Sequence, residues 1–129
     1  MSTDLKYLAL TAILTASLWI PYIIAQVRTN GPLTPPNYSD PTPRALPLWG
    51  RRADRTYINA VETFAPFAAL VIVAHLTGKA EAIAFWTVSY FWLRLAHAVV
   101  YLLGIPYVRT VIFTLGWVAV VGIFWEIIR

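Results

Sequence analysis

The chain contains no cysteine. A disulfide framework, a thiolate zinc site and a cysteine nucleophile supplied by the protein are thereby excluded. Charge is scarce as well. Only 12% of the 129 residues are Asp, Glu, Lys or Arg, against about 25% in an average soluble domain. Histidine occurs twice, at His75 and His97, and neither has a partner at metal-ligand spacing. No Walker sequence and no GxGxxG run offers a nucleotide its phosphate cradle. What is abundant is apolar: hydrophobic residues make up 59% of the chain. That excludes intrinsic disorder, which needs low hydrophobicity and high charge. The length suits a single domain over 1–129.

The apolar residues fall into blocks at about 5–27, 56–76, 80–103 and 107–128. A helix needs ~20 mostly apolar residues to cross a bilayer, and each block reaches that length. Backbone polar groups cannot stay unpaired in lipid, so a span is a helix or part of a closed barrel. Runs without period-two alternation argue for helices. The fold expected is an all-α integral membrane bundle of four transmembrane helices. Block 5–27 carries Trp19 and Pro21 and has no small-residue cleavage site, so it reads as a retained span rather than a cleaved signal.

Short links around Gly78-Lys79 and Gly104-Ile105-Pro106 join the later spans. The segment 28–55 is longer and holds Pro32, Pro35, Pro36, Pro41, Pro43 and Pro47 of the nine prolines. Prolines at that density predict extended or polyproline geometry without helix. The same segment carries Arg28, Arg44, Arg51, Arg52 and Arg55, and Arg109 follows the third span on the same side. Lys6, Lys79 and Arg129 lie on the other side. The excess of cationic residues places the long loop in the cytoplasm and both termini opposite. It also accounts for the net charge of +4 as a topology signal, with no nucleic-acid partner expected.

Polar residues inside spans are costly and mark function. Arg55, Asn59 and Glu62 follow i, i+4, i+7 spacing and share a helical face. Pro66 removes the hydrogen bond to the Glu62 carbonyl, which predicts a kink and a cavity there. Arg94, His97 and Tyr101 share a face of the third span. Trp19, Tyr22 and Gln26 do so in the first, with Arg28 just beyond, and Arg109 opens the fourth with Phe113 one turn on. An internal ion pair of Glu62 with Arg55 or Arg94 is one reading. Yet one carboxylate does not balance Arg28, Arg55, Arg94 and Arg109, and uncompensated buried cations are expensive. An anionic ligand is expected. Guanidinium forks suit its carboxylates and Glu62 suits an amine, a match for a small anionic peptide. His75, at the far end of its span, reads as an interfacial residue.

The segment Arg55-Thr-Tyr-Ile-Asn59-Ala-Val-Glu62 resembles the second-helix signature of the MAPEG family, the membrane-associated proteins in eicosanoid and glutathione metabolism. The run from Arg94 through His97 to Tyr101, followed by Arg109-Thr110, resembles that family's third-helix motif and the start of its fourth helix. Gln26-Val27-Arg28 is similar to its microsomal prostaglandin E synthase branch, near the microsomal glutathione transferases. The resemblance implies a homotrimer with glutathione between neighbouring subunits near the cytoplasmic face. Arg28, Arg55, Asn59, Glu62, His97 and Tyr101 would bind the cofactor, and Arg109 would stand beside the sulfur as the catalytic residue. It implies a glutathione-dependent transferase or peroxidase acting on an apolar electrophile or lipid hydroperoxide that enters from the membrane.

Thr63 follows the signature Glu where some members have Tyr. Phe113 stands where the prostaglandin branch has Tyr, and that branch's loop acid is not assigned, Asp40 being a candidate. Two other classes compete. A non-catalytic scaffold or regulator of the same family would not need the full polar set. A small multidrug-type transporter depends on a carboxylate in the middle of its first helix, and 5–27 contains no acid.

Overall fold

A computed structural model describes residues 1–40 and 44–129 of the chain. Pro41 and Pro43 lie outside the described residues. Helices α1 (Thr3–Ser17) and α2 (Trp19–Asn30) form the first rod. They break at Leu18 because Pro21 has no N–H for the Ser17 carbonyl and its ring crowds that oxygen. Short α3 (Pro35–Tyr38) precedes the long α4 (Leu48–Leu76), and α5 (Ala84–Leu103) and α6 (Val108–Ile128) complete the chain.

The segment 28–55 departs from its expected shape. It is helical over α3 and again from Leu48 onward. Its prolines sit where a helix does not need their missing N–H. Pro35 and Pro36 occupy the first turn of α3, and Pro47 is the N-cap of α4. Side chains tie the segment down: the Tyr38 hydroxyl donates to the Gly31 carbonyl at 2.6 Å, and Asn30 Nδ2 to the Ala45 carbonyl at 3.3 Å. Gln26 donates to the Tyr22 hydroxyl at 2.9 Å and accepts from Asn30 at 2.8 Å. The polar set of the first rod therefore supports this segment. The third block, expected over 80–103, is helical only from Ala84, after a turn that begins at Thr77.

Helix α4 packs against α1, α2, α5 and α6. In lipid, helices gain little from apolar burial against each other, so close approach between small residues matters most. Gly50 shows this: a Cβ there would stand 2.8 Å from the Ala25 Cβ of α2. Phe67, Val71, Ile83 and Ile123 are fully buried, and the Phe67 and Tyr90 rings stack at 3.9 Å. Helix α4 continues through Pro66 without interruption. Among the carbonyls of the preceding turn, that of Thr63 accepts from the Tyr90 hydroxyl at 3.2 Å.

The helices Thr3–Asn30, Leu48–Leu76 and Val108–Ile128 are long and apolar enough to cross a membrane. Arg94 and His97 lower the hydropathy of α5, which is not among them. The lengths and composition make the chain an integral membrane protein.

His75 is not merely interfacial. Its Nδ1 lies 2.9 Å from Oδ2 of Asp4, a fully buried carboxylate in the first turn of α1. This bond joins the start of α1 to the end of α4. At the opposite end, Gly104 caps α5 in the left-handed region (φ 73), and Arg52 Nε donates to the Leu102 carbonyl at 3.3 Å. A cation at the carbonyl end of a helix complements its dipole. A Cβ on Gly104 would lie 2.8 Å from Arg52 Nη1. Gly104→Ala combines that clash with a left-handed backbone that costs about 1–2 kcal/mol for an L-residue. Thermal unfolding in detergent should show a lowered midpoint; an unchanged midpoint would mean that the left-handed turn at Gly104 carries no cost for a side chain.

Candidate functional site

Two adjoining clefts hold most of the polar residues singled out in the sequence. The first, of about 200 Å³, is lined by Asn59 of α4, His97 and Tyr101 of α5, and Arg109, Thr110 and Phe113 of α6. The second, of about 150 Å³, lies between the same helices and is mainly apolar. Glu62 and Arg94 stand at its polar edge, with Tyr90, Phe113 and Trp117 among its walls. Phe113 borders both clefts.

Helical spacing explains the convergence. Asn59 and Glu62, three residues apart, lie on one face of α4, and the i, i+3, i+7 positions Arg94, His97 and Tyr101 lie on one face of α5. Helix α6 begins at Val108, so Arg109 sits in its first turn. The helix dipole adds partial positive charge at that point. The Arg109 guanidinium lies over the Tyr101 ring, 4.9 Å from its centroid, a cation–π contact that orients the charge. His97 is buried, with its ring 5.6 Å from that of Tyr101 and 5.9 Å from that of Phe113. Its Nδ1 is buried without a hydrogen-bond partner among the described residues.

Arg94 does not pair with Glu62. Its Nη2 donates to Asn59 Oδ1 at 2.8 Å across α4 and α5. A guanidinium is only a donor, so the Asn59 oxygen must face it and the amide nitrogen is left for another acceptor. Neither Glu62 nor Arg109 forms an ion pair with any described residue. The reading of an internal Glu62–Arg94 ion pair gives way to a bond with a neutral amide, because Arg94 reaches α4 at Asn59, about one turn before Glu62.

Arg55 and Arg28 do not join the clefts. Both are exposed, Arg55 on α4 and Arg28 in the last turn of α2. Among the described residues, the arginines that line the clefts are Arg94, which is buried, and Arg109, which is exposed. Sequence reasoning passed over Tyr90, Gly116, Trp117 and Val120, which line the apolar cleft. The signal was present as spacing: Tyr90 precedes Arg94 by four, and Phe113, Gly116, Trp117 and Val120 follow i, i+3, i+4, i+7.

Hydrogen bonds to charged groups contribute about 1.5–3 kcal/mol, and removing the acceptor leaves the buried guanidinium unsatisfied. Asn59→Ala should therefore destabilise the bundle by about 1–3 kcal/mol. The double variant with Arg94→Ala should lose less than the sum of the single losses, measured by unfolding in detergent. Additive losses would show that the two side chains are not coupled.

No curated protein and no solved structure matches the chain. A family model, described as the MAPEG family, matches residues 5–129. That match spans the first rod, α4, α5 and α6, together with both clefts. The chain belongs to the MAPEG family.

Proposed function

We propose that the chain is a glutathione-dependent membrane enzyme of the transferase or peroxidase type, acting on apolar electrophiles or lipid hydroperoxides. The observation that carries this reading is Arg109: a cation without a carboxylate partner among the described residues, held over Tyr101 in a cleft shared with Asn59 and His97. The donor set fits glutathione, an anionic peptide with one amine. Arg109 and the Asn59 amide nitrogen supply donors for its carboxylates or thiolate, and unpaired Glu62 suits its amino group. The buried, unpartnered Nδ1 of His97 offers one further polar contact.

Glutathione brings the thiol. A nearby cation favours the thiolate, which is the reactive form. An arginine keeps its charge at any physiological pH, so it is a constant electrostatic partner. The sulfur then attacks an electrophilic carbon or a peroxide oxygen. The lack of cysteine fits this scheme, since the nucleophile is brought by the cofactor.

Assembly as a homotrimer belongs to the same reading. Arg28 and Arg55 are exposed and outside the clefts, and a neighbouring subunit would bring Arg28 to the ligand. Helix α5 is the third of four spans in this arrangement, with its polar face turned to the clefts. The cationic side of the bundle, with segment 28–55, faces the cytoplasm, and both termini lie opposite.

Calorimetric titration of the detergent-solubilised protein should show glutathione binding. No heat at concentrations well above those in cells overturns the reading. Arg109→Ala should reduce turnover with a model electrophile by roughly a hundredfold, the scale for loss of one electrostatic stabiliser. Its effect on the glutathione Kd should be smaller. Equal losses in both would make Arg109 a binding residue without a role at the sulfur.

A further inference from the structure

The apolar cleft has a shape of its own. Pro66 of α4, Tyr90 of α5 and Phe113, Trp117 and Val120 of α6 line most of an open cleft of about 150 Å³, with Glu62, Thr63 and Arg94 at its polar edge. Gly116 of α6 forms part of the same lining. A Cβ built on Gly116 would stand 4.0 Å from Tyr90 Cε2 and meet nothing nearer. The backbone there has room for a side chain, and the space that side chain would take is the cleft. Gly116 therefore keeps the cleft open.

Size and chemistry narrow the occupant. A mainly apolar cleft near 150 Å³ has room for a benzene-sized group. Aromatic walls favour a ring, through offset-stacked and edge-to-face contacts. Tyr90, Phe113 and Trp117 supply three such walls. Phe113 also borders the polar cleft with Arg109, and its ring lies 5.9 Å from that of His97. It is thus the partition between the space for an apolar group and the space beside the cation.

We infer that this cleft seats a single aromatic ring of the electrophile, with Gly116 as its floor and Phe113 as the partition that sets which ring sizes reach the sulfur. The inference rests on the glutathione reading and names where its second substrate binds. For a benzylic chloride the step balances simply. The thiol proton leaves to solvent, and the thiolate sulfur forms a bond to the benzylic carbon. The carbon–chlorine bond breaks, and its electron pair departs with chloride.

Three electrophiles separate the effects: benzyl chloride, the bulkier 1-(chloromethyl)naphthalene, and iodoacetamide, which has no ring. Gly116→Leu should lower kcat/KM for benzyl chloride at least tenfold more than for iodoacetamide, with the glutathione Kd changed less than twofold. Phe113→Ala should raise the naphthyl-to-benzyl ratio of kcat/KM at least fivefold. Equal loss with benzyl chloride and iodoacetamide in Gly116→Leu, or an unchanged size ratio in Phe113→Ala, overturns the ring site. A photoreactive benzyl diazirine reads the cleft without glutathione. It should label α6 around 113–117, and Gly116→Leu should abolish that labelling. Labelling elsewhere, or labelling untouched by Gly116→Leu, rejects the site even if glutathione binds. Absence of glutathione binding together with the expected labelling rejects the enzyme reading alone.

Discussion

A guanidinium buried in an apolar bundle has to be satisfied locally, and in this chain a neutral amide does it. Arg94 is 7% exposed and donates to Asn59 at 2.8 Å. Had a carboxylate met that cation, the bundle would contain a closed ion pair and little electrostatic capacity. Instead the charge of Arg94 is solvated by an amide oxygen and not cancelled. Glu62 and Arg109 are left without ion-pair partners among the described residues. The bond also fixes α4 against α5, the two helices whose polar faces form the clefts. Glu62 and Arg109 are exposed at the clefts, so their charges are open to whatever ligand enters.

The arrangement places opposite chemistries side by side. Arg109, Asn59, His97 and Tyr101 make one cleft polar, while Pro66, Trp117 and Val120 make its neighbour apolar, with Phe113 between them. A charged peptide thiol and an apolar electrophile have no common solvent at a membrane surface. On the proposed function, two adjoining clefts of opposite character would remove that obstacle by holding each in its own environment. Pre-paid orientation of two reactants is among the larger contributions to catalysis. The remaining structure serves position: the Asp4–His75 bond at one end and the Arg52 cap of α5 at the other.

Much of this was legible in the residues. Long apolar blocks gave the helices, and helical spacing put Asn59 with Glu62, and Arg94 with His97 and Tyr101, on common faces. The partner of Arg94 was not legible, because spacing within a helix says nothing about axial offset between helices. One turn of offset decides between Glu62 and Asn59. The Asp4–His75 bond joins residues at the far ends of two different helices, so no local pattern announces it. The helical start of α4 at Leu48 was hidden by proline density, although Pro47 stands where a helix accepts it. Arg28 and Arg55 follow the family motif but lie on the surface of one chain, since sequence order does not state which subunit a side chain serves.

On the proposed function, the chain supplies a fixed cation and borrows its reactive sulfur. The ultraviolet absorbance of thiolate, recorded as glutathione is added near neutral pH, tests it most directly. A thiolate band should grow with occupancy of the wild-type protein and be lost in saturated Arg109→Ala. Saturation without a thiolate band, or an equal band in both proteins, would contradict the account.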